Sequence, residues 1–410
     1  MAPWVWWLAV LYVTLVPVGR SGLPLNAQWG DLLFPLLVGA VVKATPRGDW
    51  CSRKDWPLAA YLAATLLAAL VAGGTGLGLG QFVKQAYGVA VFLLFRRLTR
   101  DETRARLIAQ AYALVMALVV ASTIALMYAP HDRGQPYRGG MFGALPVVGL
   151  VERLRGPLEA PEMLGDAALV GFALALGSLA ETSGRKRWVW IGIASLLAAG
   201  EALTFSHGMA GFAVVAALLL SINPAPRRLK KVAWASALGV VFLVNAASIV
   251  APEGSVFRVR RVSLSVAGIS SSFPLNFYAA LKQEAWMAFV ENPVFGVGPG
   301  GFRTVTEKAA DEGRLTNFVR RHRPHCELTG RLAETGILGG ISLLALWASW
   351  VIGIQRAWST APPIRTAAGA AVIGLLLNSL NADVMNFRFL WLALALAQAP
   401  HSPAEPESAG

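Results

Sequence analysis

The sequence predicts an all-α polytopic membrane protein with about twelve transmembrane helices. The 410-residue chain is 55% hydrophobic and only 14% charged, which is unusual for a soluble protein of this size. Apolar runs of roughly 17–25 residues recur along the chain, and this length spans the hydrocarbon core of a bilayer. Helices satisfy their backbone polar groups in lipid, whereas an open sheet does not.

The twelve apolar segments are interpreted as spans, and the first is expected to be a retained helix because it lacks a small-residue cleavage site. Their predicted bounds are about 4–19, 29–44, 56–73, 79–97, 105–129, 163–181, 187–204, 207–222, 232–250, 333–355, 364–381 and 384–399. The chain thus divides into a nine-helix part (1–250), a large loop expected to hold the active site (251–332), a three-helix part (333–399) and a disordered tail (400–410).

Basic residues predict the orientation. With the N-terminus in the cytoplasm, every cytoplasmic connection is basic, while the short external connections hold only Arg20. This is the positive-inside pattern. The two long connections, 130–162 and 251–332, lie outside, where long loops escape that rule. The net charge of +13 is therefore explained by loops, and no nucleic-acid partner is implied. Cys51 and Cys326 fall on opposite sides, so no disulfide is expected.

Within the large loop, apolar residues recur at helical spacing over 276–291 and predict an amphipathic helix that lies against the membrane or the bundle. Asn292-Pro293 is expected to end this helix. The sequence GVGPGG at 296–301 formally fits a nucleotide-binding G-x-G-x-x-G pattern. No strand precedes it, so a tight turn is the preferred interpretation.

His325 is the first candidate for chemistry, because histidine exchanges a proton near neutral pH. Three arginines just before it (320, 321 and 323) suit an anionic substrate and lower the pKa of a histidine. Pro324 is placed for a helix start. Glu327 and Arg331 are spaced to pair on one helical face. The competing interpretation of His325 is a surface histidine without a role.

Two further candidates lie near the external ends of spans. His207 is in a short external turn, where it could also be only a polar turn residue. Lys84 lies about five residues into the fourth span and could snorkel outward toward the basic loops. A metal site made of His322, His325 and Glu327 is disfavoured, because the neighbouring arginines repel a divalent cation. No elbow for a nucleophilic serine is recognisable.

Residues 291–300, then His325 with Glu327, then 334–339 (ETGILG) resemble the O-antigen ligase and polymerase superfamily. The spacing from His325 to Gly336-x-x-Gly339 fits the ligase pattern, and Arg138-Gly-Gly-Met-Phe-Gly is a weaker echo of a second family element. The chain departs from the family at three places. Cys326 stands where Asn, Ser or Gln is usual, His207 stands where relatives often carry arginine, and an arginine before the loop helix would fall near Phe277 or Tyr278.

The resemblance implies a GT-C-like fold with a large periplasmic loop between the ninth and tenth helices. It implies inverting glycosyl transfer, independent of metal and cofactor, from a glycan on undecaprenyl pyrophosphate at the periplasmic face of the bacterial inner membrane. His325 would be catalytic, with His207 and Glu327 as accessory residues. The pyrophosphate would be bound by basic residues drawn from Arg138, Arg258, Arg260, Arg261, Arg303, Arg320, Arg321, Arg323 and Lys84.

Two enzyme functions within this superfamily differ in the acceptor of the glycan. A ligase transfers to lipid A–core, whereas a polymerase transfers to another lipid-linked repeat. The Gly-x-x-Gly spacing favours the ligase. A transporter of lipid-linked sugars is a third alternative, which predicts inverted repeats or broken spans that the sequence does not display.

Overall fold

The computed structural model describes residues 3–18, 28–44, 50–73, 76–128, 138–145, 149–158, 160–222, 226–250, 258–266 and 269–399. Each of the twelve predicted spans coincides with a helix, and two further helices lie in the large loop. The helices are α1 (Pro3–Leu15), α2 (Trp29–Ala44), α3 (Trp56–Val71), α4 (Gly76–Leu98), α5 (Glu102–Tyr128), α6 (Pro161–Ala180), α7 (Lys186–Thr204), α8 (Met209–Ile222), α9 (Arg227–Ile249), α10 (Phe277–Glu291), α11 (Phe302–Asp311), α12 (Glu327–Ala357), α13 (Pro363–Asn378) and α14 (Arg388–Gln398).

Six helices in the described part of the chain are long and apolar enough to cross a membrane: α3 with the 3₁₀ turn before it, α4, α5, α6, α9 and α12. Four shorter apolar helices, α1, α8, α13 and α14, accompany them. The protein is therefore a helical chain with several membrane spans. The total of twelve spans stays a prediction.

The bundle is built around α6, which packs against α5, α7 and α13. Of the most apolar window of α6, 72% is buried, compared with 11% for α9. Helix α9 packs mainly on α8 and exposes large apolar side chains such as Phe242 and Leu243. Such an apolar outer face suits a helix that contacts lipid, because the lipid tails are themselves apolar.

Two antiparallel hairpins accompany the helices, and the predominantly helical structure is consistent with the predicted all-α class. β1 (Arg138–Leu145) pairs with β2 (Gly149–Leu154), and β3 (Arg258–Val266) pairs with β4 (Ile269–Asn276). Both hairpins fall in the two long connections. The alternation of Val and Leu with Arg and Ser along β3 is a period-two signal that favours a strand.

Helix α10 ends at Glu291, just before Asn292-Pro293, as the sequence predicted. Its buried face includes Glu284 and Ala285, whereas Trp286 and Val290 are exposed. The 296–301 segment forms turns, with φ of 68°, 88° and 78° at Gly296, Gly298 and Gly300. Positive φ at these positions suits glycine, and the interpretation as a turn agrees with the structure.

The segment after α10 docks on α12. The Val297 amide donates to the Ala333 carbonyl at 2.9 Å, and the Ile337 amide donates to the Pro293 carbonyl at 2.8 Å. Gly336 interrupts α12 with φ 64° and ψ −162°. Helix α12 begins at Glu327, six residues before the predicted span, and this places His325 directly at its N-terminal end.

Candidate active site

His325 occupies an unusual backbone position just before α12. Its φ is +50°, in the left-handed region that non-glycine residues rarely adopt. Cys326, in an extended conformation, is the N-cap residue of the helix. The prediction that Pro324 begins the helix is wrong, because the two residues after it are not helical and the helix starts at Glu327. Strained positions of this kind cluster at functional sites, and the strain makes His325 a stronger candidate.

Aromatic rings bring His207 and His325 together. The Tyr278 ring lies edge-on to both, with centroids 4.8 Å from His207 and 5.1 Å from His325. Tyr278 is in the first turn of α10, where the side chain of Asn276 accepts a hydrogen bond from its amide at 3.2 Å. The structure thus places His207 near His325, at one end of the bundle. It also places Tyr278, a position where an arginine would be expected from the resemblance, between the two histidines.

Both histidines are held in the neutral form. Burial lowers the pKa of His325 to about 4, with further lowering by His322, Arg323 and Lys282 and an opposing effect of Glu162. Burial lowers the pKa of His207 to about 3, and nearby cations add to the effect. At neutral pH an uncharged imidazole is the form that accepts a proton. Among the described residues, no group is hydrogen-bonded to the ring nitrogens of His325.

Arg153 joins three parts of this site, and the sequence did not single it out. Its Nε donates to the Thr204 carbonyl at 2.8 Å, directly before the turn that carries His207. Its guanidinium lies 3.7 Å from the Glu162 carboxylate, and it opposes the rise in pKa that burial causes at the Tyr278 hydroxyl. Arg153 is on β2, far in sequence from Thr204 and Tyr278. No local pattern predicts such long-range contacts.

Lys282 is the second cation that the sequence did not single out. It lies one helical turn after Tyr278 on α10, and its Nζ donates to Asn381 Oδ1 at 2.9 Å. Burial lowers the pKa of its ammonium group, with an opposing effect of Cys326. The i,i+4 spacing from Tyr278 would have indicated a shared face, had Tyr278 been recognised as part of the site.

A cleft opens on the Pro324 side of the same junction. Arg303 and Arg323, two of the arginines predicted to bind the pyrophosphate, line it. Acidic groups also line it, so its charge is mixed rather than purely positive. The lining residues are Gln81, Gly300, Phe302, Arg303, Arg323, Pro324, Glu327, Gly330, Arg331, Glu334, Asp383 and Asn386.

The predicted pair of Glu327 and Arg331 forms at the wall of this cleft. Arg331 Nε donates to Glu327 Oε1 at 2.7 Å, and both side chains are buried. Glu327 Oε2 also accepts from the Met385 amide at 3.1 Å. Glu327 is thus engaged in an ion pair that holds the start of α12 to the segment before α14. These contacts support a positioning role for Glu327.

The remaining predicted cations are placed in different ways. Arg320 bonds to Asp311 at 2.8 Å and Arg321 to Glu307 at 3.2 Å, both on the exposed surface of the loop. Lys84 is half-buried on α4, one turn from Gln81 of the cleft. The other four lie on the hairpins, and their side chains fall outside the described residues: Arg138, Arg258, Arg260 and Arg261.

The described residues contain no group of three or more His, Cys, Asp or Glu side chains arranged to hold a metal ion. Both cysteines are free thiols, Cys51 exposed and Cys326 buried. The chemistry that the described residues offer is proton transfer at a neutral imidazole with cations close by.

A comparison with curated proteins found no match. Residues 192–344 match the family model described as O-antigen ligase. The matched segment runs from α7 into α12 and contains His207, Tyr278, Lys282 and His325. The match covers less than half of the chain, and over the segment that carries the site it supports the resemblance to the O-antigen ligase and polymerase superfamily.

Proposed function

We propose that the protein is an O-antigen ligase that transfers a glycan from undecaprenyl pyrophosphate to lipid A–core at the periplasmic face of the inner membrane. The observation that carries the proposal is the half-buried, neutral His325, which has a strained backbone, lies within the matched family segment and is influenced by Arg323 and Lys282. A neutral base beside cations suits a hydroxyl acceptor and an anionic leaving group.

In the proposed reaction, a ring nitrogen of His325 takes the proton of the acceptor hydroxyl. The acceptor oxygen forms a bond to the anomeric carbon as the bond from that carbon to the phosphate oxygen breaks, and the configuration inverts. The carboxylate of Glu162 favours the imidazolium that forms, since it acts against the other influences on the pKa of His325. The electron pair leaves with undecaprenyl pyrophosphate.

Cations stabilise the negative charge that develops on the pyrophosphate. Arg323 belongs to the set expected from the sequence, and the geometry adds Arg153 and Lys282. Arg320 and Arg321 are less favoured for this role because both lie on the exposed surface of the loop, whereas Arg153 is largely shielded from solvent. The apolar helices provide a path for the polyprenyl tail, and the proposed reaction requires neither a metal ion nor a cofactor.

The competing function within the superfamily is polymerisation of lipid-linked repeats. The test is transfer by the purified protein, with EDTA present, from an undecaprenyl-pyrophosphate glycan to lipid A–core. A ligase gives capped lipid A–core. Chain growth on lipid-linked repeats without capping would assign a polymerase instead. In a deletion strain, loss of a ligase removes all capped lipopolysaccharide, whereas loss of a polymerase leaves core with one repeat.

A further inference from the structure

A row of aromatic rings connects the surface of the large loop with His325. Phe318, in the 3₁₀ turn Asn317–Val319, lies 5.7 Å from His322, and the two rings are tilted by only 35°. His322 lies 6.3 Å from His325 with a similar tilt of 39°. Phe277 lies T-shaped against the Phe318 ring at 5.9 Å and near His322 at 6.3 Å.

The outer ring of this row is open to solvent, although it is firmly supported. Phe318 is 50% exposed, while Phe277 beneath it is buried. Exposure of this large apolar ring to water is unfavourable, so a ligand that covers the ring would be stabilised by burying it. Its support by Phe277 fixes its orientation before any ligand arrives, which lowers the entropic cost of binding.

We propose that the faces of Phe318 and His322 form a binding subsite for a sugar ring adjacent to the bond that reacts at His325. The proposal deepens the proposed function and depends on it. One face of a pyranose presents C–H groups with partial positive charge, and the face of an aromatic ring is negative. Stacking between the two is therefore favourable, and it would hold a sugar at one ring spacing from the base.

His322 adds a hydrogen-bonding group to this subsite. Its Nδ1 lies 3.4 Å from the Arg320 carbonyl oxygen, which can only accept. The tautomer with its proton on Nδ1 satisfies this contact, and in that tautomer Nε2 is a hydrogen-bond acceptor. A sugar hydroxyl that stacks beside it can donate to Nε2. The subsite thus combines an apolar face with a polar group, as sugar-binding sites require.

The sugar comes either from the acceptor or from the reducing end of the donor glycan, and kinetics separates the two. The variants are Phe318→Leu, which keeps apolar volume without a π face, and Phe318→Tyr, which keeps the ring. Trp286→Leu is the control, because Trp286 is similarly exposed at 53% but its ring contacts Phe289 rather than the row.

We expect Phe318→Leu to raise the KM for one sugar substrate about tenfold with kcat nearly unchanged. Phe318→Tyr and Trp286→Leu should behave like the wild type. The substrate whose KM rises identifies the source of the sugar. An unchanged KM in Phe318→Leu, or equal impairment in Phe318→Tyr, would overturn the proposal.

A binding measurement keeps this test independent of transfer. Saturation-transfer NMR on the purified protein, with delipidated core oligosaccharide or the released repeat, should show saturation of sugar C–H protons that Phe318→Leu removes. Equal saturation in the wild type and in Phe318→Leu would contradict the subsite. Absence of any transfer by a wild type that still binds sugar through Phe318 would instead count against the proposed function.

Discussion

Gly296 and Gly336 each pack against the backbone of the segment that carries the other. A Cβ on Gly296 would collide with the backbone of residues 333–335, and a Cβ on Gly336 would collide with the Val294 carbonyl. The two backbone hydrogen bonds beside them hold residues 293–297 on α12. The two glycine-containing halves of the family resemblance therefore form one structural contact, which fixes the helix whose start carries His325.

Replacing Gly336 by alanine should strongly destabilise the protein. Its backbone conformation is nearly exclusive to glycine and costs about 1–3 kcal/mol for another residue, before the collision with Val294 is counted. We expect a clearly lower melting temperature in detergent and a lower yield of monodisperse protein. The control is Gly239→Ala on α9, where nothing lies within 4 Å of the added Cβ. Equal melting temperatures for the two variants would contradict the backbone contact.

Replacing only one partner of the buried pair of Glu327 and Arg331 should lower the free energy of unfolding more than replacing both. Glu327→Gln or Arg331→Met alone leaves a buried charge without its partner, which costs about 3–5 kcal/mol. The double variant, Glu327→Gln with Arg331→Met, should be less destabilised than the sum of the two. Thermal unfolding of the four proteins in one detergent measures the coupling. Additive effects would mean that the pair contributes little.

The cations should separate into two groups by their effect on transfer. Arg323→Gln and Lys282→Gln should slow transfer at least about tenfold, since each removes a charge near His325. Arg320→Gln and Arg321→Gln should stay within about threefold, because exposed ion pairs contribute little. Initial rates at saturating acceptor, with thermal stability measured in parallel, test this difference. The reverse order would move the pyrophosphate to the exposed face of the loop.

The pH dependence of transfer should reflect the low pKa of His325. A base with a pKa of about 4 is neutral throughout pH 6–8, so kcat/KM should be level there and fall only as the pH approaches 4. An ordinary histidine would cause a fall near pH 6.5. A profile of kcat/KM from pH 4 to 8 distinguishes them, and an inflection near 6.5 would contradict the burial of His325.

The pH dependence of the free energy of unfolding should also reflect the low pKa of His325. Between about pH 4 and 6.5, the unfolded chain binds a proton at His325 that the folded protein does not. The free energy of unfolding should therefore rise with pH across this window. The contribution of His325 to stability is lost as the pH falls to about 4. His325→Gln should flatten part of this slope in melting experiments. An unchanged slope would show that other groups dominate.

The helices were predictable because length and apolarity are local properties of the sequence. His325 and His207 could be named as candidates because histidine is rare in this chain, which has five in all. The sequence did not identify three residues of the candidate site, Arg153, Tyr278 and Lys282. Their placement depends on contacts between β2, α7 and α10, which no local spacing encodes. The exposed pairing of Arg320 and Arg321 depends likewise on Glu307 and Asp311, on the neighbouring helix.

The central claim is that His325 is the catalytic base, and the most direct test replaces it with glutamine. His325→Gln keeps a polar side chain of similar size that does not take up a proton near neutral pH. Transfer from an undecaprenyl-pyrophosphate glycan to lipid A–core should be compared at matched amounts of folded protein. We predict a loss of about 10²–10⁴-fold in rate with an unchanged melting temperature at pH 8, where the histidine of the folded and the unfolded chain is neutral. A variant that transfers at the wild-type rate would contradict the assignment.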